Sequence, residues 1–278
     1  MKTVLITGAT GLVGSILAKQ LAARGFAVLA PTRHELDLAC AVSTERYLSQ
    51  LESVDVLVHC AASAHGGNLY SSREVRLYNS KLFHNAMLGT DRFMPRTILF
   101  SSVAVYENDS GVTLLDNLAP ACSSEYGLGK LDDEERLIKS GRSFCIVRLA
   151  PFYTKRNYRD VGSRFYLIPD TLKLKIMPAP VFQFCGEQTL ISAIDSLVVD
   201  KRSFITLLCD EGNGNNIFDE LPGAVVWFPR SLAKLLVRLF RKILSGEAAS
   251  KFGKALDPIY IEKFCVYIDV SESEKRFK

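Results

Sequence analysis

Read as apolar and polar positions, the first half of the chain alternates between two rhythms. Short, continuous apolar runs occupy residues 2–7, 27–30, 54–60, 97–101 and 144–149. Runs of that length without a polar alternation are the pattern of strands covered on both faces. Longer segments with apolar residues three and four apart fill 12–23, 43–51, 72–88 and 124–139, and these read as helices. Strand and helix therefore take turns up to about residue 150, the order that builds βαβ units and a doubly wound parallel α/β sheet.

Past residue 150 the rhythm breaks. Pro151, Pro169, Pro178 and Pro180 punctuate an irregular region, and the apolar runs 204–209 and 224–228 look like isolated strands. The expected organisation is a first domain over residues 1–150 and a smaller lobe over 151–278, partly interleaved with it. In that lobe, residues 229–244 put Leu232, Leu235, Leu236, Leu239, Phe240, Ile243 and Leu244 on one helical face, with Lys234, Arg238, Arg241 and Lys242 largely on the other. Such a helix is expected to pack its apolar face into the lobe. The alternative is that it lies on an anionic membrane. Phe152, Tyr153 and Phe165 read as core or interface, and the charged tail from Ser271 is expected to fray.

Composition narrows the function classes. The 278 residues are 48% hydrophobic and 23% charged, an ordinary globular balance, and 34 basic against 30 acidic side chains create no field that would draw nucleic acid. The cysteines (40, 60, 122, 145, 185, 209 and 265) are odd in number and contain no C-x-x-C pair, which fits neither a disulfide framework nor a zinc site. They read as reduced thiols of a cytoplasmic protein. The N-terminal apolar run reaches Gly8 too soon for a signal peptide, and no stretch approaches the ~20 apolar residues of a membrane span. His34, His59, His65 and His84 lack ligand spacing, so no metal is expected.

The first strand runs into Thr7-Gly8-Ala9-Thr10-Gly11-Leu12-Val13-Gly14 and then directly into a helix. In that context the G-x-x-G-x-x-G spacing reads as a dinucleotide-binding, Rossmann-type turn. Gly8 permits the turn, Gly11 lets backbone approach a pyrophosphate, and Gly14 lets helix pack on strand. Thr10, Leu12 and Val13 complete the contact set, and the helix N-terminus favours the anion by roughly 0.3–1 kcal/mol. At the end of the second strand stand Thr32-Arg33-His34, with no carboxylate there to bind a ribose 2′-hydroxyl. Arg33 therefore points to NADP rather than NAD. Glu35 and Asp37 follow, and Asp37 with Leu38 reads as flanking the adenine.

A helix beginning near residue 124 carries Tyr126 and Lys130 four residues apart, hence on one face. A lysine ammonium there favours the phenolate and brings a tyrosine of pKa ~10 towards working range. Lys130 also suits the nicotinamide ribose. The run 97–101 ends at Ser101-Ser102, at the sheet edge where ligands of such folds bind, and Ser102 is placed to share a substrate oxygen with Tyr126.

These motifs, with Asp55-Val-Leu-Val-His-Cys-Ala61-Ala62-Ser63, Ser101-Ser102-Val-Ala-Val-Tyr106, Glu134 and Arg148-Leu-Ala-Pro151-Phe-Tyr153, resemble the extended, sugar-nucleotide branch of the short-chain dehydrogenase/reductases. The resemblance covers about the first 150 residues. It implies that Ser102, Tyr126 and Lys130 are catalytic, that Ala61, Ala62, Ser63 and Pro151 line the cofactor, and that Asn79 sits on the crossover helix. It also implies a nucleotide-linked sugar under the second lobe, a place in surface polysaccharide synthesis, and a homodimer through helices 72–88 and 124–139. Arg33 followed by His-Glu-Leu-Asp-Leu is similar to the NADPH-using 4-keto sugar reductases of the branch. The glycine loop is similar to its NAD-retaining 4-epimerases, and Glu107 stands where both usually have glycine, so reduction and epimerisation both stay open. Arg156, Arg159 and Arg164 are either diphosphate contacts or solvated loop residues. A rival of another class is a non-catalytic dinucleotide sensor, although sensors of that kind characteristically lack the tyrosine present here.

Overall fold

Successive strand residues face opposite sides of a sheet, so each continuous apolar run supplies two cores. In the computed structural model β1 (Thr3–Thr7) sends Val4 and Ile6 to one core and Leu5 to the other. There follow α1 (Leu12–Ala23), β2 (Ala27–Leu29), α2 (Ala41–Ser49), β3 (Val56–His59), α3 (Arg73–Gly89), β4 (Arg96–Ser102), the short β5 (Val112–Thr113), α4 (Glu125–Lys139) and β6 (Phe144–Leu149). The structure describes residues 1–63, 73–106, 112–113, 122, 124–162, 165–168, 170–179, 182–210, 216–240, 260–261 and 268–269. Of the residues singled out above, His65, Ser72, Glu107, Arg164, Pro169, Pro180, Cys265, residues 241–244 and the tail from Ser271 lie outside these.

After β6 come β7 (Phe152–Tyr153), α5 (Arg159–Gly162), β8 (Tyr166–Ile168), β9 (Leu172–Met177), β10 (Cys185–Gly186), α6 (Glu187–Val199), β11 (Phe204–Leu208), α7 (Asn216–Glu220), β12 (Ala224–Pro229) and α8 (Arg230–Phe240). Two short strands, β13 (Tyr260–Ile261) and β14 (Ile268–Asp269), close the order. Six strands run parallel in the order β11-β6-β4-β3-β1-β2, and β14 adds an antiparallel edge beside β11. The first core holds Leu17 and Leu21 of α1 against Leu190 and Ile194 of α6. On the opposite face Leu48 of α2, Phe83 of α3 and Leu137 of α4 cover Leu57, Leu99 and Ile146. The chain passes from β1 to β2 on one side and then crosses back over β1 to β3 on the other. That reversal opens a crevice at the carboxyl ends of β1 and β3, where such sheets bind ligands.

Two expectations change. The run 204–209 is not isolated: β11 pairs parallel with β6 from Phe204 opposite Cys145 to Leu208 opposite Leu149, so residues 187–208 return to the first sheet. The run 224–228 does belong to the second lobe, as β12 of a three-stranded sheet ordered β12-β9-β8. That lobe has a core of its own, in which Phe165 meets Phe182 and Phe218 edge-on at 4.9 and 5.4 Å between ring centres. Phe152 and Phe165 are buried as expected, and Tyr153 is half-buried. Of the amphipathic helix only part can be compared with expectation, the side chains of residues 236–240 lying outside the described ones. Ala233 packs on Ile176, but Leu232 and Leu235 stay 42% and 51% exposed instead of entering the lobe. The six described cysteines are free thiols.

Candidate active site

At Gly8 the backbone turns with φ +73°, and a Cβ there would stand 2.6 Å from the Ala61 nitrogen. Only glycine therefore lets the β1 turn close on the end of β3. A Cβ at Gly14 would strike the Gly8 carbonyl, so the first turn of α1 sits directly against the loop. Gly11 caps α1 in extended backbone, with no side chain accepting from the helix and no acidic residue in its first turn. Thr10, Gly11 and Leu12 are exposed at this mouth, and Val13 is half-buried. The result is a helix N-terminus with uncapped N–H groups, pressed close to backbone and open to an anion.

The two carboxylates after β2 are each bonded to nearby backbone. Glu35 accepts from the Thr32 N–H at 2.7 Å and the Thr32 hydroxyl at 2.8 Å, and these bonds hold its pKa below the usual range. Asp37 accepts from the Ala39 N–H at 3.1 Å. The Leu38 side chain is buried beside Leu36 and Leu48, and Asn85 donates to its carbonyl at 2.7 Å. Arg33 is exposed and donates to the Tyr78 hydroxyl at 3.0 Å.

Ala61, Ala62 and Ser63 follow β3, half-buried beside the Gly8 turn. The Ser63 N–H donates to Asn79 Oδ1 at 2.7 Å, which fixes this segment to α3. Ser124 caps α4 by accepting from the Gly127 N–H at 3.1 Å, and so sets where Tyr126 and Lys130 leave the helix. Lys130 is buried, donates to the Phe100 carbonyl at 2.8 Å, and holds Nζ 5.9 Å from the Tyr126 ring centre. Ser102, half-buried, accepts from the Ala104 N–H at 3.2 Å.

Strand parity separates the neighbouring serines. Ser101 points inward and donates to Glu134 at 2.5 Å. Glu134 in turn accepts two bonds from Arg148, Nη2 at 2.6 Å and Nε at 3.1 Å, and a third contact joins Arg148 to the Tyr106 hydroxyl. This buried knot ties α4 to β4, β6 and the turn at Val103–Tyr106. Burial alone would lower the Arg148 pKa, but Glu134 and Tyr106 more than reverse it and keep the guanidinium charged.

The charges around Lys130 are the least expected feature. Desolvation lowers its pKa, opposed by Asp133, Cys60 and Glu134. Asp133 lies one turn further on, 4% exposed, with its pKa pushed up to about 6 by burial against the pull of Lys130, Arg136 and Ser80. Its Oδ1 has no hydrogen-bond partner among the described residues. A cavity of about 10 Å³ lies between Asp133, Lys130, Tyr126 and Asn79, room for one water with polar partners on several sides. Asp133 raises the lysine pKa, so Asp133→Asn is expected to let Lys130 lose its proton at lower pH. If a protonated lysine supports the reaction, the alkaline limb of the pH–rate profile moves down. An unmoved limb would separate Asp133 from Lys130. His59 bonds to the Thr7 hydroxyl at 2.8 Å and, with its pKa lowered to about 3 by burial and Lys130, stays neutral.

A larger cleft of about 520 Å³ opens beyond Pro151, lined by Tyr153, Lys155, Arg156, Thr189 and Asp210 among others. Asp210 accepts from the Tyr153 hydroxyl at 2.9 Å, the Gly186 N–H at 2.8 Å and the Thr189 hydroxyl at 2.5 Å. Arg156 thus lines a cleft, while the Arg159 side chain lies outside the described ones.

Parallel sheet, glycine turn and a helix bearing tyrosine and lysine define the extended short-chain dehydrogenase/reductase class. Within that class, the family described as the RmlD substrate binding domain matches residues 1–167, and the chain belongs to this family. A UDP-glucose 4-epimerase of Vibrio cholerae is 29% identical over 221 residues, 71% of this chain and 64% of that protein. A probable low-salt glycan biosynthesis reductase of Haloferax volcanii is 28% identical over 165 residues, 54% of each chain. This chain thus spans just under two thirds of the first relative and about half of the second. A dTDP-4-dehydrorhamnose reductase from Bacillus anthracis, solved in complex with NADP, shares the fold with a TM-score of 0.66 at 16% identity, over 82% of this chain and 85% of that one.

Proposed function

We propose that the chain is an NADP-dependent reductase of a 4-keto nucleotide sugar. The observation that supports this reading is the pairing of an uncapped glycine turn with a strand end where Arg33 is exposed, held by the Tyr78 hydroxyl, and Glu35 is bonded to Thr32. The residues present fit a dinucleotide: a side chain at Gly8 or Gly14 would strike neighbouring backbone, and a 2′-phosphate would find the exposed Arg33 guanidinium, with Glu35 bonded to Thr32 through one oxygen. Residues 10–14 would hold the pyrophosphate, Ala61, Ala62, Ser63 and Pro151 the middle of the cofactor, and Lys130 the ribose next to the nicotinamide. When bound, the cofactor supplies the hydride.

The chain's own residues manage the proton. Tyr126 gives its hydroxyl proton to the carbonyl oxygen of the sugar, and Ser102 donates a hydrogen bond to the same oxygen. Lys130, anchored on the Phe100 carbonyl, stabilises the resulting phenolate. Arg156 and Lys155 suit the diphosphate of a nucleotide sugar in the larger cleft. The epimerase among the relatives keeps C4 epimerisation as a second reading, with the same proton chemistry run in both directions.

Two measurements test the cofactor reading. Denaturing the purified protein and identifying any released nucleotide separates a retained NAD, which favours the epimerase, from an empty site. Titration with NADPH and NADH should then show tighter binding of NADPH. Arg33→Ser is expected to cost NADPH roughly 10–100-fold in affinity, the worth of a charged hydrogen bond of ~1.5–3 kcal/mol, and to leave NADH unchanged. Equal losses for both nucleotides would remove Arg33 from the phosphate site.

A further inference from the structure

Two successive residues of α3 hold the two segments that flank the glycine turn. β1 lies between β2 and β3 in the sheet, so the chain beyond β2 passes on one side of the turn and the chain beyond β3 on the other. The Tyr78 hydroxyl accepts from Arg33 Nη2 at 3.0 Å on the first side, and Asn79 accepts from the Ser63 N–H at 2.7 Å on the second. Asn79 also donates to the Ser63 carbonyl at 3.4 Å, which fixes that segment twice. The Tyr78 ring is half-buried and packs against the core on its side of the sheet, so the hydroxyl that meets Arg33 is carried on an anchored ring.

Arg33 is exposed, and among the described residues its partner is this neutral hydroxyl and no carboxylate. A guanidinium is a planar fork of N–H donors, of which the Tyr78 bond engages one. The bond therefore orients the fork without neutralising it, and the remaining donors keep an open edge suited to two phosphate oxygens. A free arginine on a loop loses most of its rotamer freedom when it closes on an anion. One already held by Tyr78 has lost part of that freedom beforehand, so more of the contact energy appears as affinity. We propose that Tyr78 is a positioning residue for the 2′-phosphate of the cofactor, holding the Arg33 fork ready for it and so setting the preference for NADPH over NADH. This role rests on the NADP reading given above, and it adds a residue of α3 to a site otherwise built at the end of β2.

The test uses the full chain and ligands that differ only by the phosphate in question: adenosine 2′,5′-bisphosphate against adenosine 5′-monophosphate, and NADPH against NADH, all titrated by calorimetry. The wild type should bind the phosphorylated member of each pair more tightly. Tyr78→Phe keeps the ring and removes the acceptor. It should weaken both phosphorylated ligands about 2–10-fold, the worth of one ordinary hydrogen bond, and leave the other two and the circular dichroism spectrum unchanged. In an Arg33→Ser background the same change should have no further effect on NADPH, because the group that Tyr78 holds is gone. Equal weakening of all four ligands would overturn the proposal, making Tyr78 a wall of the adenosine site. So would a loss of NADPH affinity that persists in the Arg33→Ser background. A preference for NADPH that is lost in Arg33→Ser and kept in full in Tyr78→Phe would remove Tyr78 alone. A wild type that binds the members of each pair alike would remove the NADP reading and this role with it.

Discussion

Tyr126→Phe is expected to leave the fold and NADPH binding intact while lowering kcat by roughly 10²–10⁴, the range attributed to a positioned acid–base group. The hydroxyl is the only atom removed, and the ring keeps its place half-buried beside the Lys130 ammonium. Lys130→Met should act differently. It takes away the charge that favours the phenolate and the group offered to the ribose, so both rate and cofactor affinity should fall. Steady-state kinetics together with a binding titration separate the two variants. Turnover unchanged in Tyr126→Phe would remove the tyrosine from the chemistry. If the wild-type protein binds NADPH and turns over no 4-keto nucleotide sugar, the dinucleotide sensor becomes the better account.

The second large effect is expected on stability. Arg148→Met leaves the buried Glu134 carboxylate without its ion-pair partner, bonded to the Ser101 hydroxyl and facing only the more distant Lys130 charge, and removing one partner of a buried ion pair costs about 3–5 kcal/mol. For a chain of this size that is a melting temperature lower by roughly 6–20 °C, readable by calorimetry or circular dichroism. Because the knot also locates α4, some activity should be lost with it. The paired change Arg148→Met with Glu134→Leu should recover much of the stability, since neither member of the pair is then left buried without the other. If the single variant melts with the wild type, the knot does not hold α4 in place.

The elements that the sequence made legible are those whose signal is local. The glycine spacing, the apolar run before it and the helical period after it place β1 and α1 to within a residue, because a tight turn against a helix admits few side chains. β6 and α4 were equally readable, the latter because Ser124 is a good N-cap ahead of an amphipathic run. β11 was legible as a strand but not as a member of the first sheet, since its partner β6 lies far back along the chain and pairing partners leave no mark in an apolar run. The four acids from Asp132 to Glu135 are consecutive in the sequence. Burial divides them, with Asp133 and Glu134 inside and the Asp132 and Glu135 side chains 40% and 64% exposed. A signal was present: positions 126, 130, 133, 134 and 137 share one helical face, so the face that carries Tyr126 also carries the two buried acids. Ser101 and Ser102 likewise differ only by strand parity, which decides that one hydroxyl enters the core and its neighbour stays at the sheet edge. The outward turn of Leu232 and Leu235 had no signature, because an amphipathic helix reads the same whether its apolar face meets protein or lipid.

The central claim is that a hydride reaches the sugar while Tyr126 supplies the proton. Its most direct test offers the protein NADPH deuterated at its transferable position together with a panel of 4-keto nucleotide sugars, and then locates the label by NMR. The account predicts deuterium at C4 of one sugar, oxidised cofactor formed in equal amount, and neither in Tyr126→Phe on the same timescale. Binding of NADPH with no label transferred to any sugar, or label transferred equally by Tyr126→Phe, would contradict it.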